Sequence, residues 1–148
     1  MEELCIIVII IAIVCIFIMR YKHIPRNKIT EELKCKILSK GLIHFTYYDN
    51  AIQIQKEGIM PRKKKAMFKC EKDMVWMYLN DEEQFQNKWR IIQGKGERKN
   101  YDAYVIVRSI EDNQIEQMRY RKSDMAIVHI GALKTENITV KKLDEYVF

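Results

Sequence analysis

Three polar side chains in or beside predicted strands are the candidates for chemistry: His44, Tyr78 and Asp124. A fourth, Thr46, follows His44 at a spacing of two, so on a strand both side chains project from the same face. An imidazole, a hydroxyl, a phenol and a carboxylate supply hydrogen-bond donors and acceptors, an aromatic ring and a negative charge. Their spacing alone does not make them converge, so the elements that carry them decide the question.

Each of these residues also has a structural interpretation. A histidine on a strand is commonly a satisfied structural residue, and a tyrosine within an aromatic strand commonly belongs to the core. An aspartate just before a buried strand is commonly a turn residue. The residue types leave both interpretations open.

The strand that carries His44 is predicted to follow a capped helix. Thr30 can accept a hydrogen bond from the first turn of that helix, two glutamates follow it, and Gly41 ends the helix. Residues 42–46 then predict a strand whose alternate side chains point to opposite faces, with Ile43 and Phe45 opposite His44.

The remaining pattern predicts further strands with helices between them. A helix over 51–57, capped by Asp49 or Asn50, ends at Gly58. Strands are predicted at 74–79, 101–108, 115–120, 125–130 and 138–143, with another helix after Asn80 or Asp81 that carries Phe85, Trp89 and Ile92. Helices that precede a strand-rich remainder favour an α+β domain.

This order of motifs resembles the ADP-ribosyltransferase fold, a split β-sheet with short helices. The strand Ile43-His44-Phe45-Thr46 and the following helix up to Gly58 are similar to the first family motif. Val75-Trp76-Met77-Tyr78-Leu79 is similar to the second motif, a strand with a tyrosine. The third motif is an acidic residue near the start of a later strand, which Asp124 can supply, and the resemblance covers about residues 41–130.

The resemblance implies an enzyme that transfers ADP-ribose from NAD to a cytoplasmic protein or nucleic acid. His44, Thr46 and Tyr78 would bind NAD, which is the substrate, with no metal ion. Tyr78 would stack on the nicotinamide ring, and Asp124 would stabilise the positive charge of an oxocarbenium-like transition state. The basic loop 62–65 would pair with the pyrophosphate or with a nucleic-acid acceptor.

Three alternatives stay open beside this prediction. The family usually has a glutamate at the third motif, so Glu116 competes with Asp124 for the acidic role. A degenerate member of the fold would bind a nucleotide or a partner protein without chemistry. In a third hypothesis, the chain is a small interaction module in which His44, Tyr78 and Asp124 are structural.

The N-terminal segment predicts a membrane anchor. Residues 4–19 carry no charge, the segment begins with acidic residues, and no small-residue cleavage site follows. The basic residues of 20–28 lie C-terminal to this run, which favours a single-pass orientation with the C-terminal domain in the cytoplasm, and they would contact anionic lipid. The predicted organisation is therefore a transmembrane anchor at 1–22, a basic juxtamembrane segment and helix at 23–40, and an α+β domain at 41–148.

Composition and cysteine spacing indicate the number of domains and whether a metal site is expected. The chain has 148 residues and a net charge of +6, which fits one domain with an appendage. Its four cysteines form no CxxC pair and have no histidine at a metal-ligand spacing, so we predict reduced, structural cysteines and no zinc site. The glycines of the polar loop 94–100 do not match a phosphate-binding loop and indicate a turn.

Overall fold

The computed structural model describes residues 2–61, 73–86 and 101–143. Its first helix, α1, spans Glu2–His23 and ends two residues before Pro25. The predicted basic loop 62–65 and the glycine-containing loop 94–100 lie outside the described residues.

The predicted membrane anchor is corrected by α1. Among the described residues, no helix combines the length and the apolar character that a membrane crossing requires. The apolar run with described side chains, 4–19, has sixteen residues and extends about 24 Å, less than a hydrocarbon core of about 30 Å. The predicted fold class is therefore wrong in its transmembrane element. The single-pass localisation with a cytoplasmic domain is wrong with it. The predicted contact of 4–19 and 20–28 with lipid stays a prediction.

Helix α2 spans Glu31–Lys40 and has the predicted ends. The Thr30 side chain accepts a hydrogen bond from the backbone N–H of Leu33, at 3.2 Å. Gly41 ends the helix with φ 80°, and a β-carbon there would lie 2.6 Å from the carbonyl oxygen of Val107. Only glycine fits this position, because α2 passes directly into a strand that lies against Val107.

A seven-stranded antiparallel sheet forms the body of the α+β fold, in the order β1-β5-β6-β3-β2-β4-β7. Its strands are β1 Asn27–Lys28, β2 Leu42–Thr46, β3 Met74–Leu79, β4 Ala103–Arg108, β5 Met118–Arg121, β6 Ala126–Ile130 and β7 Asn137–Lys142. The other helices with described bounds are α3 Tyr48–Glu57 and α4 Asp112–Glu116, and residues 82–86 are also helical.

Helix α3 begins earlier than the sequence predicts. Neither Asp49 nor Asn50 caps it; instead, the Asp102 carboxylate accepts a hydrogen bond at 2.8 Å from the backbone N–H of Tyr48. A carboxylate that lies 54 residues away in the sequence thus satisfies the start of the helix. Gly58 ends α3, as predicted.

The predicted strand at 115–120 is replaced by α4 and a shorter β5. The side chain of Glu111 accepts from the backbone of Gln114, and the side chain of Gln114 accepts from the backbone of Glu111. This reciprocal capping starts a one-turn helix that buries Ile115. Strand β5 starts only at Met118, and its register with β6 runs from Met118 to Arg121.

The two faces of the sheet carry different cores. On the first face, aliphatic side chains of the strands pack with α2, α3 and α4, and the cluster includes Leu33, Ile37, Ala51, Val105 and Ile115. We call it the helical face. The second face carries the aromatic cluster Ile43, Phe45, Phe85, Tyr104 and Leu143, with Tyr78 against it. We call it the aromatic face.

Candidate functional site

The sheet opens between β2 and β3, the strands that carry His44 and Tyr78. These strands are paired only at Leu42–Leu79 and Ile43–Tyr78. On its other side, β2 is paired with β4 along all five of its residues, 42–46. The second half of β2 therefore has a strand neighbour on one side only among the described strands.

The hydrogen-bond pattern shows which backbone groups face this opening. The N–H of Asn80 donates to the carbonyl of Gly41, so the backbone groups of Gly41, and by alternation those of Ile43 and Phe45, point toward β3. Continued pairing would place Phe45 opposite Trp76. The strands part before that pair forms, and the N–H and C=O of Phe45 face the opening.

The side chain of His44 replaces part of the missing ladder. Its Nδ1 lies 2.7 Å from the carbonyl oxygen of Trp76, and this carbonyl is on the β2 side of β3. A carbonyl oxygen can only accept, so Nδ1 donates, and a neutral His44 ring carries its proton on Nδ1. The imidazole thus bridges the two strands at the start of the opening.

Thr46 lies deeper and on the helical face. It is 1 % exposed, and the strand alternation places it on the same face as His44. Tyr78 lies on the aromatic face, with its ring centroid 6.2 Å from that of Phe45. The residues predicted to bind NAD therefore lie on both faces of the sheet. Of these side chains, that of His44 bridges β2 to β3.

Tyr78 and Asp124 share one electrostatic neighbourhood. Burial raises the pKa of Tyr78 to about 12, and the negative charge of Asp124 adds to the increase, while the positive charge of Arg121 opposes it. A buried phenol resists ionisation because the phenolate would lose its hydration. Two of the residues predicted for the site are thus electrostatically coupled.

Asp124 is held in a two-point ion pair with Arg121. Its Oδ1 accepts from Nε and its Oδ2 accepts from a terminal guanidinium nitrogen, both at 2.8 Å. Oδ1 also accepts from the backbone N–H of Ala126 at 3.3 Å. The guanidinium lies over the ring of Trp76, 5.2 Å from its centroid. These contacts give Asp124 the fixed geometry of a hairpin-turn residue and partly neutralise its charge.

The backbone beside Asp124 is unusual. Met125 has φ 54°, in the left-handed region that favours glycine, at the turn between β5 and β6. Its side chain packs against the core of the helical face. This packing explains why a methionine stands where the turn geometry would favour a smaller residue.

Glu116 lies in another part of the molecule. It is at the end of α4, and its negative charge raises the pKa of Lys34 on α2, a smaller effect than that of Asp112, which hydrogen-bonds Lys34. Of the two acidic candidates, Asp124 is the one whose charge acts on Tyr78.

Two residues of this neighbourhood, Trp76 and Arg121, were not predicted from the sequence. Trp76 supplies the carbonyl that His44 binds and the ring beneath the guanidinium. A signal was present, since Arg121 and Asp124 are three residues apart between two predicted strands, where a tight turn brings such side chains together.

A separate cleft of about 710 Å³ lies at the end of α3 and contains none of the predicted site residues. It is formed by α3, the loop after β4 and the loop before β7, and it is lined by Lys56, Glu57, Ser109, Gln114, Lys134 and Thr135, among others. Among the described residues, no group of three or more His, Cys, Asp or Glu side chains is arranged to hold a metal ion.

The chain was compared with protein-family models, with curated proteins and with solved structures, and none of them matches it. The resemblance to the ADP-ribosyltransferase fold thus stays a prediction that rests on the residues of this chain.

Proposed function

We propose that the chain binds NAD, or a dinucleotide of the same chemistry, at the opening between β2 and β3. The observation that carries this proposal is geometric: Trp76, whose carbonyl His44 binds at the strand opening, also has its ring under the guanidinium that Asp124 binds. The charge of Asp124 acts in addition on the Tyr78 hydroxyl. A structural role for each residue separately would not require these groups to lie in one neighbourhood.

The backbone of Phe45 supports a ligand that carries a carboxamide. Its N–H and C=O both face the opening, beyond the last registered pair of β2 with β3. A carboxamide such as that of nicotinamide can donate to the carbonyl and accept from the N–H, in place of the pairing that the described part of β3 does not make with Phe45. The neighbouring rings of Phe45 and Tyr78 supply apolar surface for a planar heterocycle.

The ion pair of Asp124 favours binding without efficient transfer. In transfer, the bond between nicotinamide and ribose breaks, nicotinamide leaves with the electron pair, and an acceptor nucleophile attacks the ribose carbon and loses its proton. A carboxylate that stabilises the resulting positive charge works best without a competing cation, but Arg121 already binds Asp124 at two points. We therefore propose a nucleotide-binding module as the first candidate.

ADP-ribosyl transfer is the second candidate. The electrostatic effect of Asp124 on Tyr78 favours it, because a stacking ring and a carboxylate are the two groups that the reaction needs near the nicotinamide ribose. The acceptor would be a protein or a nucleic acid.

Calorimetric titration of the full chain with NAD, together with an assay for released nicotinamide, tests both candidates. We expect binding without turnover. Tyr78→Ala should weaken binding about tenfold, since loss of a stacked ring costs about 1–3 kcal/mol. Thr135→Ala, in the separate cleft, is the control that should leave affinity unchanged.

Three outcomes separate the possibilities. Nicotinamide release that is lost in Asp124→Ala would select transfer over binding alone. Heat of binding that is unaffected by Tyr78→Ala and by His44→Asn would place the ligand elsewhere. Absence of any NAD binding by the folded chain would refute the proposal and leave the structural roles of these residues.

A further inference from the structure

Strand β7 forms one edge of the sheet, and it is much the longer of the two edges. In the described part of the chain, its pairing partner is β4, in six consecutive residue pairs. The strand at the opposite edge, β1, has two residues, against six in β7. An edge strand of this length presents a row of backbone donors and acceptors that an added strand can bind.

The direction of these groups follows from one hydrogen bond. The N–H of Leu143 donates to the carbonyl of Asp102 at 2.9 Å, so the backbone of Leu143 faces β4. By alternation, the N–H and C=O of Ile138, Val140 and Lys142 point outward, away from the sheet.

A side chain of α3 supports this assignment independently. The Nε2 of Gln55 donates to the carbonyl of Ile138 at 3.1 Å, which requires that carbonyl to be reachable from outside the strand pair. Helix α3 packs on β4 and β7, and Gln55 extends from it to the edge. The helix is thus a side wall for anything that binds along the outer groups of Val140 and Lys142.

The charge of β7 indicates the chemistry of the strand that it would bind. β7 carries Lys141 and Lys142 at its C-terminal end, both exposed, and no acidic residue. The Lys142 ammonium lies 4.6 Å from the centre of the Tyr48 ring on α3, so this side chain turns toward the helix. Lysines on an edge oppose pairing with another basic strand, including a second copy of β7, and favour a strand with carboxylates.

We propose that β7 binds an extended acidic peptide as an added strand, beside α3. The peptide backbone would exchange hydrogen bonds with Val140 and Lys142, and its carboxylates would lie near Lys141 and Lys142. Main-chain bonding provides affinity in this mode, and the lysines provide the preference for acidic sequences. This surface shares no residue with the proposed nucleotide site.

The test uses the full chain and three labelled peptides, measured by fluorescence anisotropy. The first alternates valine and glutamate, and the second alternates valine and lysine. The third is the glutamate peptide with every backbone nitrogen methylated, so that neither edge can donate a hydrogen bond. We expect the first to bind and the other two to bind at least about tenfold more weakly, because they lack the charge match or the main-chain donors. The proposal is overturned if the N-methylated peptide binds as well as its parent, or if no peptide binds.

Val140→Pro is the matched variant of the protein. The outward N–H of Val140 makes no ladder bond with β4, and proline is tolerated on an edge at such a position. Peptide binding should fall at least about tenfold while the sheet stays folded by circular dichroism. Undiminished binding in a folded Val140→Pro chain would overturn the proposal. If this variant does not fold, the comparison of parent and N-methylated peptides on the native chain decides.

Discussion

Replacing Tyr78 with phenylalanine tests whether the candidate site is buried and charged in the way described. The change keeps the aromatic ring that packs on Phe45 and removes only the hydroxyl, whose pKa is raised to about 12 by burial and by the charge of Asp124. A phenol with a raised pKa in the folded state stabilises the fold below its unfolded pKa of about 10. That stabilisation is lost as the pH rises through about 12.

The magnitude follows from the two pKa values. At pH 8 the phenol is protonated in both states, so ionisation adds nothing to the difference between the native chain and Tyr78→Phe. At pH 11 about nine-tenths of the unfolded chains carry the phenolate, against about one-tenth of the folded chains. The native chain should therefore lose about 1.4 kcal/mol of unfolding free energy relative to the variant between pH 8 and pH 11.

Urea unfolding of both proteins at several pH values between 8 and 11 measures this difference. Every other ionisable group is common to both proteins, so subtraction removes it. A difference between the native chain and Tyr78→Phe that is the same at pH 8 and pH 11 would refute the electrostatic description of the site.

Three further predictions concern stability, each measured by denaturant unfolding. A double-mutant cycle in which Arg121 and Asp124 are replaced by alanine, singly and together, should give a coupling energy of about 1 kcal/mol, because the ion pair is half-buried and bidentate. A coupling energy within a few tenths of zero would contradict this. His129→Leu should be neutral or stabilise by up to about 1 kcal/mol, because the histidine is buried, its Nε2 has no hydrogen-bond partner among the described residues, and only the 3.2 Å contact of Nδ1 with the Gly131 carbonyl is lost. A loss above about 2 kcal/mol would mean that Nε2 has a role. Gly58→Ala should lower the free energy of unfolding more than Gly131→Ala does. Both glycines have positive φ, but of the two only Gly58 would place a β-carbon 2.6 Å from a carbonyl oxygen. Equal losses would show that the backbone around Gly58 shifts to make room for the methyl group.

Local signals in the sequence predicted local structure well. Thr30 and Gly41 mark the ends of α2, because a cap and a left-handed glycine act within one turn. The alternation of β2 placed Ile43 and Phe45 on one face, where they join the aromatic cluster. These predictions depend only on neighbours in the sequence.

Contacts between residues far apart in the sequence could not be predicted from these local patterns. The start of α3 depends on the carboxylate of Asp102, and nothing near Tyr48 indicates it. Asp124 was predicted for the site from its position before a strand, but its two-point bond to Arg121 depends on the conformation of the turn between them. The membrane prediction for 4–19 was wrong because the absence of charge shows only that the segment is apolar, whereas a helix must also be long enough to cross the hydrocarbon core.

The strand order has a consequence for how the chain reaches its native state. β1 pairs with β5, and Asn27 contacts Tyr120 across 93 residues; β2 lies against β4, more than fifty residues later in the chain. The β5–β6 hairpin is the one strand pair joined by a tight turn among the described strands, and it can form early. Bringing such distant strands together costs conformational entropy before their contacts can stabilise the fold. Folding should therefore be slow for a chain of this size, on the order of milliseconds to seconds. During synthesis, β2 can first meet β3, with which it forms two residue pairs, but β4, its partner along all five residues, is made only at 103–108. Until then part of the apolar surface of β2 is open to other chains.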